Sequence, residues 1–208
     1  MICLIQTVDK VVLEVQEKIN IMKDGILIID NLLNDNQFRF LEDSILGVEN
    51  EEMKWNFRNF VVGVNKQEIE NKDSYQFTNS IFHNSRILNK DFFDIFIPMF
   101  EQRLKAEHWL KIKMNFRPVG KKIETEFHTD LFHEGFMFLT AVFYLNDNNG
   151  CTEIIKKNNE KVKVESKRNR CVIFRGDLLH RAVTADDNHR IVLNMNFLSS
   201  EVIDFYNS

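Results

Sequence analysis

From Leu110 onward the chain keeps a two-residue beat. Leu110, Ile112, Met114 and Phe116 alternate with Lys111, Lys113, Asn115 and Arg117, as expected of a strand with one buried face. Further strand-like runs follow at 123–128, 136–145, 152–155, 161–165, 171–175, 179–183 and 190–198. Turn chemistry separates them, as in Asn146-Asp147-Asn148-Asn149-Gly150 and Arg175-Gly176-Asp177. Seven or eight short strands predict a sandwich or jelly roll rather than a parallel sheet.

The first half reads differently. Gly25 to Asp30 is a short apolar strand, and Asn34 follows as a helix N-cap. Phe38, Leu41, Ile45 and Leu46 then recur at helical spacing, and Gly47 stands where a left-handed C-cap is expected. A second helix is predicted over 91–109, with Phe92, Phe96, Met99, Phe100 and Leu104 on one side and a kink at Pro98. Between them, residues 48–90 mix charge runs with aromatics such as Trp55, Phe57 and Phe82. They read as irregular covering structure with short strands, either a binding lid or a solvated edge. The expected organisation is a single domain, 1–109 forming a helical and lid portion and 110–198 the β core.

Composition narrows the classes of function. Of the 208 residues 44% are hydrophobic and 28% charged, a globular balance, and no apolar run approaches the roughly 20 residues of a membrane helix. Met1 to Lys10 lacks a basic leader, so export is not expected. Cys3, Cys151 and Cys171 are odd in number, with no CxxC pair, which fits a reducing cytoplasm and excludes a zinc-thiolate reading. A net charge of -4 offers no bulk attraction for nucleic acid, although Lys111, Lys113 and Arg117 make a local basic strand face.

Within the β core, His128-Thr129-Asp130 places an imidazole and a carboxylate at i and i+2, on one side of an extended segment. His180 follows on another strand-like run, where a folded-back sheet completes a two-His, one-carboxylate face that leaves coordination positions open. Arg190 begins the last strand and shares its face with Val192, Asn194 and Asn196. Its guanidinium fork suits the far end of a dicarboxylate, and the Tyr144 hydroxyl is placed to share that carboxylate. Each residue alone has a plainer reading: a surface His-Asp pair, a hydrogen-bonded strand histidine, an exposed strand-end arginine, a core tyrosine. His133 and His189 lie close in sequence as a loop residue and an outer or exposed group.

The order HxD, Tyr-Leu-Asn, turn, distal His and Arg ten residues on resembles the 2-oxoglutarate/Fe(II)-dependent dioxygenase superfamily. The pattern over about 110–198 is most similar to its prolyl 4-hydroxylase-like branch. The resemblance implies a mainly β fold with flanking helices, a double-stranded β-helix of the jelly-roll, cupin-like kind. It implies Fe(II) on His128, Asp130 and His180, 2-oxoglutarate on Arg190 and Tyr144, and ascorbate as a reductant. The implied reaction consumes O2 and 2-oxoglutarate, hydroxylates a prime substrate and releases succinate and CO2; a peptide is the favoured substrate, with a small molecule or nucleobase as alternatives. Stand-alone domains of this kind also occur in bacteriophages, so the cytoplasm of an infected bacterium is one compatible setting. The chain departs from its relatives at Arg117-Pro118, where a tyrosine is more usual, and at Cys151-Thr152-Glu153, where a Gly-Gly or Gly-Glu pattern is. Two rival readings are a cupin-like metal protein of other chemistry and an inactive binding module.

Overall fold

A computed structural model describes residues 25–47, 53–59, 75–131 and 137–200. Eleven strands and two helices occur there, in the order β1 (Ile26–Ile29), α1 (Asp35–Leu46), β2 (Asn56–Arg58), β3 (Gln76–His83), β4 (Arg86–Ile87) and α2 (Lys90–Leu104). Then come β5 (His108–Arg117), β6 (Leu139–Tyr144), β7 (Cys151–Ile155), β8 (Lys161–Glu165), β9 (Arg170–Arg175), β10 (His180–Val183) and β11 (Arg190–Leu198).

Eight strands form one antiparallel sheet in the order β1-β9-β6-β11-β5-β3-β2, with β4 paired to β3. The other three form a small sheet, β10-β7-β8. Strand alternation gives the large sheet two different faces. Ala141, Phe143, Ile173, Leu193, Met195, Ile112 and Met114 point to the helices and meet Phe38, Leu41, Phe96 and Phe100 in the main core. Val142, Tyr144, Val172, Phe174 and Val192 point the other way and pack on Ile154 and Val164 of the small sheet. The second face also carries Thr140, Asn194, Asn196 and Arg190, so the space between the sheets is polar toward one end.

The helices form for local reasons. Asn34 caps α1 by accepting from the Gln37 backbone N–H while the Gln37 side chain accepts from the Asn34 N–H, a reciprocal capping box. Asn89 caps α2 through the Phe92 N–H. Two end signals differ from expectation. Gly47 lies at φ -61°, not left-handed, and glycine fits there because a Cβ would stand 2.2 Å from the Asp43 carbonyl oxygen. The second helix stops at Leu104, not near Trp109, because Lys105 turns left-handed at φ 53° and the chain re-enters the sheet at His108. Pro98 lies within that helix.

Three further differences concern strands. Residues 123–128 are no regular strand; their backbone pairs with the small sheet through single bridges at Glu124–Val183 and His128–His180. Part of the segment read as irregular cover is the eight-residue strand β3, paired along β5. The remainder of the supposed lid, residues 48–52 and 60–74, lies outside the described residues, as do Cys3, His133 and the N-terminal leader region. Among the described residues no helix is long and apolar enough to cross a membrane.

Gly176 joins β9 to β10 with its N–H on the Phe138 carbonyl. A Cβ there would fall 2.1–2.4 Å from the buried Phe138 ring, which has no flexible end to move aside. Gly176→Ala is therefore expected to cost about 1–3 kcal/mol of stability, measured by denaturant unfolding; an unchanged midpoint would mean that the ring is free to shift.

At the end of β1, Asp30 accepts from the Arg170 Nε at 2.6 Å and from the Lys167 Nζ at 2.9 Å. The Arg170 hydrogen bond, against some opposing burial, lowers the carboxyl from 3.8 to about 2. The ionised form is thus favoured by folding, so these bonds stabilise the fold above the ordinary pKa and are lost as pH falls from about 4 toward about 2. The Asp30 side chain is 39% exposed, and solvent screening keeps the contribution below about 1 kcal/mol. Asp30→Asn should flatten the acid limb of a pH-stability curve by that amount and leave stability near pH 7 lower.

Candidate active site

His128 and His180 face each other across an antiparallel bridge in which each backbone N–H donates to the other's carbonyl at 2.9 Å. Residues directly opposite in such a pair project to the same side, and the two imidazole centroids lie 4.7 Å apart. Asp130, two residues on, joins them: its Oδ1 is 4.0 Å from His128 Nε2 and its Oδ2 is 3.5 Å from His180 Nε2. One ligand atom from each of the three lies within 4.8 Å of the others.

The surroundings fix which atoms face inward. Each Nδ1 sits beside a backbone carbonyl two residues upstream, His128 with Glu126 at 3.1 Å and His180 with Leu178 at 3.2 Å. A carbonyl only accepts, so each Nδ1 carries the proton and each Nε2 presents a lone pair. This is the tautomer that metal-binding histidines are usually held in. Burial, the largest cause, pushes the His128 pKa down and favours the neutral ring. Burial would raise the Asp130 carboxyl, yet His180, the charge of Lys111 and the amide of Asn196 outweigh it and hold the group ionised. Asn194 and Asn196 both donate to Oδ2, at 3.0 and 3.1 Å.

These residues fit a metal. Cis ligands about 2.1 Å from a single ion stand about 3 Å apart; the Asp130–His180 pair at 3.5 Å is near that spacing, and His128, 4.0 Å from Asp130, has to draw in by about an ångström. His180 Nε2 is buried and makes no hydrogen bond, a loss that a metal bond would repair. Imidazole with carboxylate suits iron and other divalent first-row metals.

At the other end of the cavity, Arg190 is 7% exposed. Its Nε donates to Ser166 at 3.2 Å and one Nη to Thr152 at 3.1 Å. A guanidinium offers five N–H donors, and no carboxylate pairs with this one among the described residues. Burial lowers the Arg190 pKa, the mark of a cation short of an anion. The Tyr144 hydroxyl donates to the Thr152 Oγ1 at 2.7 Å, and burial raises its pKa to about 12, so it stays a donor. Thr152 thus accepts twice and keeps its own O–H to donate into the cavity, which it lines with Arg190.

The cavity, of about 140 Å³, runs from Arg190 past the His-Asp-His group to Lys111 and Lys113. The structure therefore brings His128, Asp130, His180 and Arg190 to one cavity lining, with Tyr144 buried behind Thr152 and reaching the cavity only through that hydroxyl. His189 is not in the group; its ring meets Phe116 edge-on, centroids 5.9 Å apart. Arg117 turns its guanidinium to the Tyr75 carbonyl, at 2.8 Å. Sequence reading assigned no role to Thr152, Ser166, Asn194 or Asn196. Only the two asparagines left a signal, as polar residues on a strand whose other face is wholly apolar.

Residues 114–198 match the family model of the 2OG-Fe(II) oxygenase superfamily. No curated protein matches the chain by sequence. Among solved structures it resembles a prolyl hydroxylase from Trichoplax adhaerens in complex with a hypoxia inducible factor oxygen degradation domain peptide fragment, at 15% identity, with 95% of each chain covered and a TM-score of 0.67. It also resembles a Pseudomonas putida prolyl-4-hydroxylase, at 17% identity over 88% of this chain and 98% of that one, TM-score 0.59. A 2OG-Fe(II) oxygenase family oxidoreductase from Burkholderia pseudomallei aligns at 8% identity over 88% of this chain and 90% of that one, TM-score 0.65. At these identities the likeness establishes the fold, a double-stranded β-helix with helices packed outside. The family match spans the strands bearing His180 and Arg190, and over residues 114–198 the chain carries the pattern of the 2OG-Fe(II) oxygenase superfamily, the iron- and 2-oxoglutarate-dependent dioxygenases.

Proposed function

We propose that this dioxygenase hydroxylates a prolyl substrate, with His128, Asp130 and His180 as its iron ligands and Arg190, Thr152 and Tyr144 as the seat of the cosubstrate's distal carboxylate. The observation that carries the ligand assignment is the pair of histidines whose Nδ1 atoms are tied to carbonyls while both Nε2 atoms face one Asp130 carboxylate. When bound, iron and 2-oxoglutarate supply dioxygen activation coupled to oxidative decarboxylation, with succinate and CO2 as products and a hydroxyl group added to a C–H bond.

The chain's own residues do the rest. Asn194 and Asn196 hold the Asp130 carboxylate in one orientation, so little reorganisation is needed on binding. Arg190 gives the cosubstrate its direction: a dicarboxylate anchored at that end points its other end toward the His-Asp-His group. The apolar residues Val142 and Val192 line the wall between the two and keep water out of the stretch that the cosubstrate's methylene groups would occupy. Ascorbate, as an external reductant keeping iron ferrous, and a reducing cytoplasm belong to the same proposal. Cys151 and Cys171 are both buried and free, as that compartment allows.

The prolyl reading draws on the two prolyl hydroxylases among the structural neighbours. It is also supported by the aromatic group of Phe57, Tyr75, Phe77 and Phe116 at the β2–β3 edge, where an extended peptide has a sheet edge to lie along. Succinate release screened against peptide, amino-acid and nucleotide pools tests it. Proline-containing pools are expected to stimulate turnover, and stimulation by nucleotides alone would reject the prolyl assignment while keeping the enzyme class.

A further inference from the structure

The cavity holds more positive charge than the cosubstrate can use. On β5 the side chains of Lys111, Lys113 and Asn115 face the cavity, while Ile112 and Met114 between them are fully buried in the core. Lys113 pairs in register with Asn194, and Lys111 with Asn196; those are the two asparagines that hold Asp130. Arg190 lies four residues before Asn194 on β11, about 13 Å along a strand rising about 3.3 Å per residue. The His-Asp-His group therefore stands between two cationic ends, a hydroxyl-lined arginine on one side and a pair of lysines on the other.

Among the described residues neither lysine has an acidic partner. Among the described residues the Lys113 side chain makes no hydrogen bond or salt bridge, and that of Lys111 reaches only the Asp130 backbone carbonyl, at 3.4 Å. Two lysines two residues apart on one strand face, their Cα atoms about 7 Å apart, repel each other unless an anion lies between their ammonium groups. The charge count agrees. A divalent metal, Asp130 and the two carboxylates of 2-oxoglutarate leave one negative charge, which Arg190 cancels; Arg181, also in the lining, is paired with Glu124 and Glu153, and Lys111 and Lys113 remain as two positive charges without acidic partners among the described residues.

We propose that the prime substrate carries an oxyanion, a carboxylate or a phosphate, within a few bonds of the carbon that is hydroxylated, and that Lys113 with Lys111 positions it. This rests on the dioxygenase reading above and narrows its substrate class. A free proline, or a peptide ending in proline, carries such a carboxylate and fits; a neutral prolyl segment inside a chain does not.

The test uses the whole protein loaded with Mn(II), which does not turn over, and saturating 2-oxoglutarate. Binding of N-acetyl-L-proline and of its uncharged carboxamide is compared through paramagnetic broadening of their NMR lines, with phenyl phosphate and phenol as a second pair. At least one acid is expected to bind about tenfold or more tighter than its neutral partner, and which pair discriminates tells carboxylate from phosphate. Lys113→Met should abolish the difference and Lys113→Arg should retain it. Equal binding within both pairs, no binding of either acid, or discrimination that survives Lys113→Met would overturn the proposal. So would a Lys113→Met protein that loses 2-oxoglutarate and keeps discrimination, since the lysine would then serve the cosubstrate. Wild-type protein that binds Mn(II) but not 2-oxoglutarate would instead remove the dioxygenase reading, and this inference with it.

Discussion

Asp130→Ala is expected to lower iron-dependent succinate formation by about a hundredfold or more. Loss of a residue that merely supports a metal ligand typically costs 10–100-fold in affinity or activity, and Asp130 is proposed as a ligand. The change also deletes the acceptor for the Asn194 and Asn196 amides and leaves His128 and His180 without the carboxylate between them. Ferrous iron binding by anaerobic dialysis separates this from misfolding: the variant should retain the strand signature in circular dichroism while losing stoichiometric iron. Undiminished turnover would remove Asp130 from the centre.

Arg190→Met should act on a different quantity. Two charge-assisted hydrogen bonds to a carboxylate, at about 1.5 kcal/mol or more each, correspond to about a hundredfold in affinity. The 2-oxoglutarate concentration for half-maximal turnover should rise by about that factor, with a smaller effect on the rate at saturation. The protein itself should not suffer. Arg190 is a buried cation without a carboxylate partner among the described residues, held by Ser166 and Thr152, and replacing such a charge by an apolar side chain of similar length is often neutral or stabilising. A raised cosubstrate requirement with an unchanged or higher melting temperature is the expected signature. A lowered melting temperature with unchanged cosubstrate dependence would make the arginine structural.

Much of the β core was legible because alternation and turn residues coincide there. Residues 161–165 and 190–198 are strands with the bounds read from the sequence, and the ordered HxD, His and Arg motif lies where two strands and one extended segment converge. Local signals failed where tertiary contact decides. β3 carries a bulge between Ser80 and Phe82, which breaks the two-residue beat and made the strand look irregular. Residues 123–128 have the beat without continuous ladder partners, so only two bridges form. The second helix ends through a left-handed Lys105, a conformation that glycine or asparagine usually announces and lysine does not. In the site, Thr152 and Ser166 reach Arg190 from the small sheet across 38 and 24 residues of chain, a proximity that no spacing rule encodes. The lysines of β5 were visible as a basic face, but their place opposite Asn194 and Asn196 follows only from strand register.

The central claim is that three side chains hold one ferrous ion which 2-oxoglutarate then chelates. Adding Fe(II) and then 2-oxoglutarate to the anaerobic protein tests it directly, through the weak visible charge-transfer absorption that such chelation produces. The band is expected at one equivalent of iron per chain, only after 2-oxoglutarate is added, and is expected to be absent in His180→Ala. Iron that binds equally well to His180→Ala, or a wild-type protein that takes up iron and shows no band with excess 2-oxoglutarate, would contradict the claim.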